Sequence, residues 1–158
     1  MLRHAIAGAI SFLILTGISS PAAAVKGNCW GKLKAPLERG GYSNNLKNPT
    51  DCSEYYSFDL KYVGQTNGIK KYKIYDMGYS CPRVYGGHGH GGGRVLIFDN
   101  HLNYLGQYVE NDAFKGVWIK GSAVHFDYPK KWGNVLKLDG PEPPKKAWFL
   151  GDTVWFTK

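Results

Sequence analysis

Cysteine is scarce in this chain, with three among 158 residues. That number permits one intramolecular bridge and excludes the disulfide-dense scaffold of many small secreted domains. Arginine is sparse too. Beyond residue 24 only Arg39, Arg83 and Arg94 occur, against sixteen lysines. Base-edge recognition leans on arginine forks, so this composition argues against a sequence-specific nucleic-acid reader. Catalytic signatures are missing as well: no nucleophile elbow, no H-E-x-x-H and no serine-triad spacing. A glycine tract at 86–93 leads into Arg94-Val95-Leu96-Ile97-Phe98, a strand pattern, and no Gly-Lys-Ser/Thr follows it. A phosphate loop needs a helix N-terminus at that point, so the phosphate-loop reading is rejected.

The one long apolar run stands at the beginning. Arg3 and His4 form a short basic region, Ala5 to Ile18 is apolar, Ser19-Ser20-Pro21 breaks it, and Ala22-Ala23-Ala24 offers small side chains. That layout predicts a secretory signal peptide over residues 1–24, cleaved after about Ala24, and a periplasmic or secreted destination. The run is shorter than the roughly 20 residues of a membrane span, and no second run approaches that length. No transmembrane segment is therefore expected in the mature, soluble chain. Removing residues 1–24 leaves 134 residues, and the formal charge of +8 becomes +7 as Arg3 is lost.

Within the mature chain, residues 25–53 read as an irregular segment packed on the domain. Gly27, Gly31, Pro36, Gly40-Gly41 and Pro49 interrupt any periodicity, with one helical turn expected at Pro36–Arg39. From residue 54 to 158 the period is two. Tyr56, Phe58, Leu60 and Tyr62 alternate with polar residues, Gly64 to Gly68 forms a turn, and Tyr72 and Ile74 return the alternation. Matching the apolar faces sets Tyr62 against Tyr72 and Leu60 against Ile74. A second hairpin joins Arg94–Asp99 to Tyr104–Glu110, its first strand apolar on both faces and hence central. Val117–Lys120 and Ala123–Tyr128 flank Gly121-Ser122, and Val135–Asp139 is a further strand. Ala147–Leu150 and Thr153–Thr157 flank Gly151-Asp152, a pairing that sets Trp148 opposite Trp155. About nine short strands and almost no helix predict an all-β fold: an antiparallel meander of hairpins forming a small sandwich or barrel.

Cys52 and Cys81 bracket the first hairpin almost symmetrically, which predicts a Cys52–Cys81 bridge and leaves Cys29 spare.

Three constellations carry candidate chemistry. His88 and His90 stand in the glycine tract, where two imidazoles on a pliant backbone can converge on Zn²⁺ or Cu²⁺; the competing reading is a plain glycine loop. Asp99-x-His101 and His125-x-Asp127 each place a carboxylate two residues from an imidazole, the spacing that orients a general base in a small secreted hydrolase. The competing reading makes Asp99-Asn100-His101 turn chemistry and His125 and Asp127 a solvated strand face. Finally, lysines interleave with aromatics at Tyr128, Lys130, Lys131 and Trp132, and again at Lys145, Lys146 and Trp148. Such a surface suits attraction to an anionic macromolecule of the cell envelope. The leading expectation is an exported non-enzymatic binding protein of inhibitor, immunity or envelope-interaction type, with no cofactor. A metal-binding periplasmic protein and a histidine-based hydrolase are the alternatives.

Overall fold

The computed structural model describes residues 28–43, 48–55, 57–80, 91–110, 116–127, 135–149 and 152–158. Nine strands follow one short helix: α1 (Lys34–Gly40), β1 (Ser57–Gln65), β2 (Lys73–Ser80), β3 (Gly91–Phe98), β4 (Tyr104–Glu110), β5 (Val117–Lys120), β6 (Ala123–Phe126), β7 (Val135–Lys137), β8 (Lys146–Phe149) and β9 (Asp152–Thr157). The fold is all-β, as the alternation predicts. All strand pairs are antiparallel and form two sheets, one in the order β1-β2-β3-β4-β9-β8 and one in the order β5-β6-β7. β5 lies beside β1 and β7 beside β8, but among the described residues no ladder joins the sheets into a closed barrel.

The centre of the larger sheet is covered on both faces, and β3 shows why its sequence is apolar throughout. Leu96 and Phe98 point into a cluster with Trp30, Leu33, Leu37, Tyr42, Tyr55 and Met77. Val95 and Ile97 point the other way, into a cluster with Ile74, Tyr108, Val124, Phe126, Leu136 and Leu138. The first cluster lies under the N-terminal segment and the second under β5-β6-β7. Inward side chains of the last hairpin, Ala147, Val154 and Phe156, complete the second.

The helix is short because its sequence ends it. Pro36 sits in the first turn, where its missing amide costs no helical bond. Gly41 adopts a left-handed conformation at φ 77°. The Gly41 amide then bonds Glu38 O and the Tyr42 amide bonds Leu37 O at 2.9 Å, a paired closure of the last carbonyls. That closure drives Tyr42 into the core, where its ring meets Trp30 at 5.2 Å. The helix extends two residues earlier than the turn expected at Pro36–Arg39, and Lys34 gains an ion pair with Glu38 at 3.4 Å.

Two sequence expectations are corrected here. First, β1 and β2 pair three residues out from the expected register: Tyr62 faces Tyr75 and Leu60 faces Met77, with a shift between Tyr62 and Gly64 that sets Gly64 against Ile74. The cause is a wider loop than an Asn-Gly turn makes. The Thr66 amide bonds Tyr72 O, and the Tyr72 amide bonds Thr66 Oγ1, both at 2.9 Å. Second, the bridge is Cys29–Cys52, not Cys52–Cys81. In the observed register the hairpin begins at Ser57 opposite Ser80. Cys52 precedes it in a 3-10 turn, Cys52–Glu54, started by Asp51, whose carboxylate accepts the Ser53 amide at 3.0 Å. That turn carries Cys52 into the core beside Trp30, and Cys29 is the thiol waiting there. Cys81 lies outside the described residues.

The last hairpin also closes differently. Trp148 faces Thr153 and Lys146 faces Trp155, with Phe149 against Asp152, so Asp152 is a strand residue and not a turn residue. Trp148 and Trp155 are diagonal neighbours on one face, not direct opposites.

Candidate functional site

Antiparallel strands with one buried face must show their alternate side chains to water. In β5, Val117 and Ile119 turn inward, leaving Trp118 and Lys120 outside. In β6, Val124 and Phe126 turn inward and His125 is outside; in β7, Leu136 turns inward, leaving Val135 and Lys137 outside. Register aligns Trp118, His125 and Val135 in one row and Lys120, Ala123 and Lys137 in the next. The Trp118 and His125 rings are stacked, 5.4 Å between centroids with planes 15° apart.

The last hairpin continues this surface. Ala147, Val154 and Phe156 turn inward, so Lys146, Trp148, Thr153 and Trp155 face out. A shallow groove of about 410 Å³ runs between β7 and β8, with Val135 and Lys137 on one side and Lys146 and Trp148 on the other. Asp139 and Glu142 also line it. Five strands thus share one outward surface bearing three indoles and three lysines. Trp148 and Trp155 are each 60% exposed and Trp118 48%, unusual for so large an apolar ring.

The lysine and aromatic residues expected to form a surface divide between two places. Lys146 and Trp148 belong to this face. Lys145, one residue earlier, lies on the other side and lines a separate cleft of about 850 Å³ with Lys70, Lys71, Lys158, Glu142 and His101. Tyr128, Lys130, Lys131 and Trp132 lie outside the described residues. Sequence reasoning missed Trp118 and Lys137, which look like ordinary strand residues. Trp155 was expected only as a partner of Trp148. An apolar residue on the polar phase of each strand was the available signal.

The acid–base candidates do not assemble. Asp99 Oδ1 accepts the amides of His101 and Asn103, and Oδ2 accepts Asn103 Nδ2, all at 2.8 Å. Burial pushes this carboxyl up, but the bonds from Asn103 and His101 outweigh that effect and hold it below the usual carboxylate range. Asp99 therefore shapes the β3–β4 turn and accepts the His101 backbone amide, with the His101 charge acting on it as a smaller effect. His101 lines the 850 Å³ cleft, whereas His125 stacks on Trp118 of the outward face. The Asp127 amide bonds Gly116 O at 2.8 Å. Among the described residues, no group of three or more His, Cys, Asp or Glu side chains is placed to hold a metal ion. His88 and His90 lie outside the described residues.

The carboxyl with a raised pKa is elsewhere. Asp76 of β2 is half-buried, and burial first, then the neighbouring Asp59, push its pKa up against the opposing pull of Lys61. Ionisation of Asp76 therefore costs the folded state at neutral pH. The penalty is absent below the unfolded carboxyl pKa and fully present above the raised folded one. Asp76→Asn is expected to be more stable than the parent at pH 7, with the gap closing as pH falls through that window; paired urea titrations at pH 7 and pH 4 measure it.

Among the described residues, no helix is long and apolar enough to cross a membrane. Comparison with protein-family models, curated proteins and solved structures finds no match to this chain.

Proposed function

We propose that this chain is an exported β-rich binding protein that engages a macromolecular partner of the cell envelope through the outward face of β5 to β9. One observation carries the reading: Trp148 and Trp155 stand side by side in solvent, each 60% exposed, although the same hairpin packs Ala147, Val154 and Phe156, partly buried, against the core. Folding gains nothing from two exposed indoles, whereas a partner that covers them removes a large apolar area from water. The Lys146, Lys137 and Lys120 ammonium groups on the same face favour an anionic partner. Export is supported by the signal-like residues 1–24 and by the Cys29–Cys52 bridge, which persists in an oxidising compartment.

The test is affinity capture from an envelope extract. The parent chain is expected to retain a partner that Trp148→Ala/Trp155→Ala does not. His101→Ala, altered in the separate cleft, should capture as the parent does. Both indoles are exposed, so the double variant should keep its thermal midpoint to within the small effect of a surface change, about 0.5 kcal/mol per site. Equal capture by the double variant refutes the face as the binding surface.

A further inference from the structure

We infer that the outward face holds a chain of acidic sugars laid across strands β5 to β9. The inference rests on reading this face as the binding surface and names what it binds.

The form of the aromatic groups is the first reason. The three indoles do not form one apolar patch. Lys137, Lys146 and Thr153 stand among them, and the face is a shallow sheet surface with a groove of about 410 Å³. Protein and membrane docking surfaces favour a contiguous apolar area. Sugars favour the arrangement seen here. A pyranose ring turns a layer of C–H groups toward the electron-rich face of an indole, while its hydroxyl groups project sideways to polar neighbours. Asp139 and Glu142 at the groove are acceptors for such hydroxyls, and the lysines are donors.

Reach is the second reason. Paired strands lie about 4.8 Å apart, roughly 14 Å for the three ladder steps β5–β6, β6–β7 and β8–β9, and the unpaired step across the groove from β7 to β8 takes the path from Trp118 to Trp155 to about 20 Å or more. One sugar ring cannot touch both ends. The ligand that uses the whole row is a polymer running across the strands.

Charge density selects among polyanions. Lys120, Lys137 and Lys146 supply three positive charges along that path, and Asp139 and Glu142 oppose them at the groove. A nucleic-acid strand brings a phosphate about every 3.4 Å, on the order of six over the same length, more than this face can neutralise. A glycan with a carboxylate on only some of its sugars brings fewer. Stacking then supplies most of the hold and the lysines select the acidic form.

Affinity gel electrophoresis of the full chain tests this, with gellan and hyaluronan as glycans that carry a carboxylate on only some of their sugars, dextran as a neutral glycan and oligo(dT) as a nucleic acid. Flotation with phosphatidylglycerol vesicles covers the lipid case. Gellan or hyaluronan is expected to retard the parent chain more than dextran, oligo(dT) or vesicles hold it. Trp148→Ala/Trp155→Ala should weaken that binding at least about tenfold with an unchanged thermal midpoint. Lys120→Gln/Lys137→Gln/Lys146→Gln should abolish its dependence on salt. No retardation by either acidic glycan, equal retardation of the tryptophan variant, or tighter binding to oligo(dT) or vesicles overturns the inference. If envelope capture still needs Trp148 and Trp155 while neither acidic glycan binds, the choice of ligand is wrong and the binding face stands. If capture does not need them, both fall.

Discussion

Replacing Trp30 by alanine is expected to destabilise the protein by about 3–5 kcal/mol, the range for truncating a large buried aromatic ring. Trp30 is 1% exposed and anchors the N-terminal segment to the sheet. Its ring meets Tyr42 at 5.2 Å, Tyr55 at 6.4 Å and Phe58 at 4.7 Å, all edge to face. Tyr42 comes from the irregular segment, Tyr55 from the residues just before β1 and Phe58 from β1, so removing the indole separates a layer and leaves a hole no single neighbour can fill. Against a total stability of about 5–15 kcal/mol for a domain, the loss is large. Urea unfolding followed by far-ultraviolet circular dichroism reads it. A change under about 1 kcal/mol would show that the N-terminal layer does not depend on this ring. Trp30→Phe, which keeps an aromatic body, should recover a substantial part of the loss.

Breaking the Cys29–Cys52 bridge is the second large effect. The two cysteines are 23 residues apart, and the chain-entropy treatment gives about 3 kcal/mol for closing a loop of that size. The parent protein should unfold at a lower urea concentration in dithiothreitol, whereas Cys29→Ala/Cys52→Ala should be insensitive to the reductant and already shifted. Non-reduced peptide mapping gives the same answer covalently, with a fragment joining Cys29 to Cys52. A parent midpoint unmoved by dithiothreitol would count against the bridge. Trp30 follows Cys29 directly and Cys52 packs in the same cluster, so the two perturbations should not add. Combining them should cost less than the sum, because either alone already loosens the same layer.

The strands were legible in the sequence where alternation was regular and the turn short. The Gly121-Ser122 turn illustrates this: Lys120 pairs with Ala123 as the spacing requires, and Gly121 takes φ 63°. Legibility failed where a side chain reorganised a loop. Asn67-Gly68 resembles a tight turn, yet the Thr66 hydroxyl captures the Tyr72 amide and moves the return strand by three residues. The disulfide error followed from that register, since symmetry about the presumed turn made Cys81 the natural partner. The candidate face depended on register for the same reason. Lys145 and Lys146 are adjacent in sequence, yet strand alternation sends them to opposite sides of β8. Trp118 and Trp155 are separated by 36 intervening residues, and only the way β7 lies beside β8 puts them on one surface. The layered core was easier, because Val95-Leu96-Ile97-Phe98 can be satisfied only between two apolar layers.

The attachment of the last hairpin to its sheet is slight. Among the described residues, β9 pairs with β4 through Gln107–Thr157 and Tyr108–Phe156. Gly106 makes this approach feasible: at φ 153° it lets the chains come so close that an added Cβ would lie 2.6 Å from Thr157 O. An element held by so short a ladder opens more cheaply than the sheet it joins. The hairpin that carries Trp148 and Trp155 is therefore expected to exchange its amides faster than β3, and it lies beside β5-β6-β7 on the same outward surface. A polymer spanning both would act as a clasp, slowing amide hydrogen exchange in β8 and β9 far more than in β3.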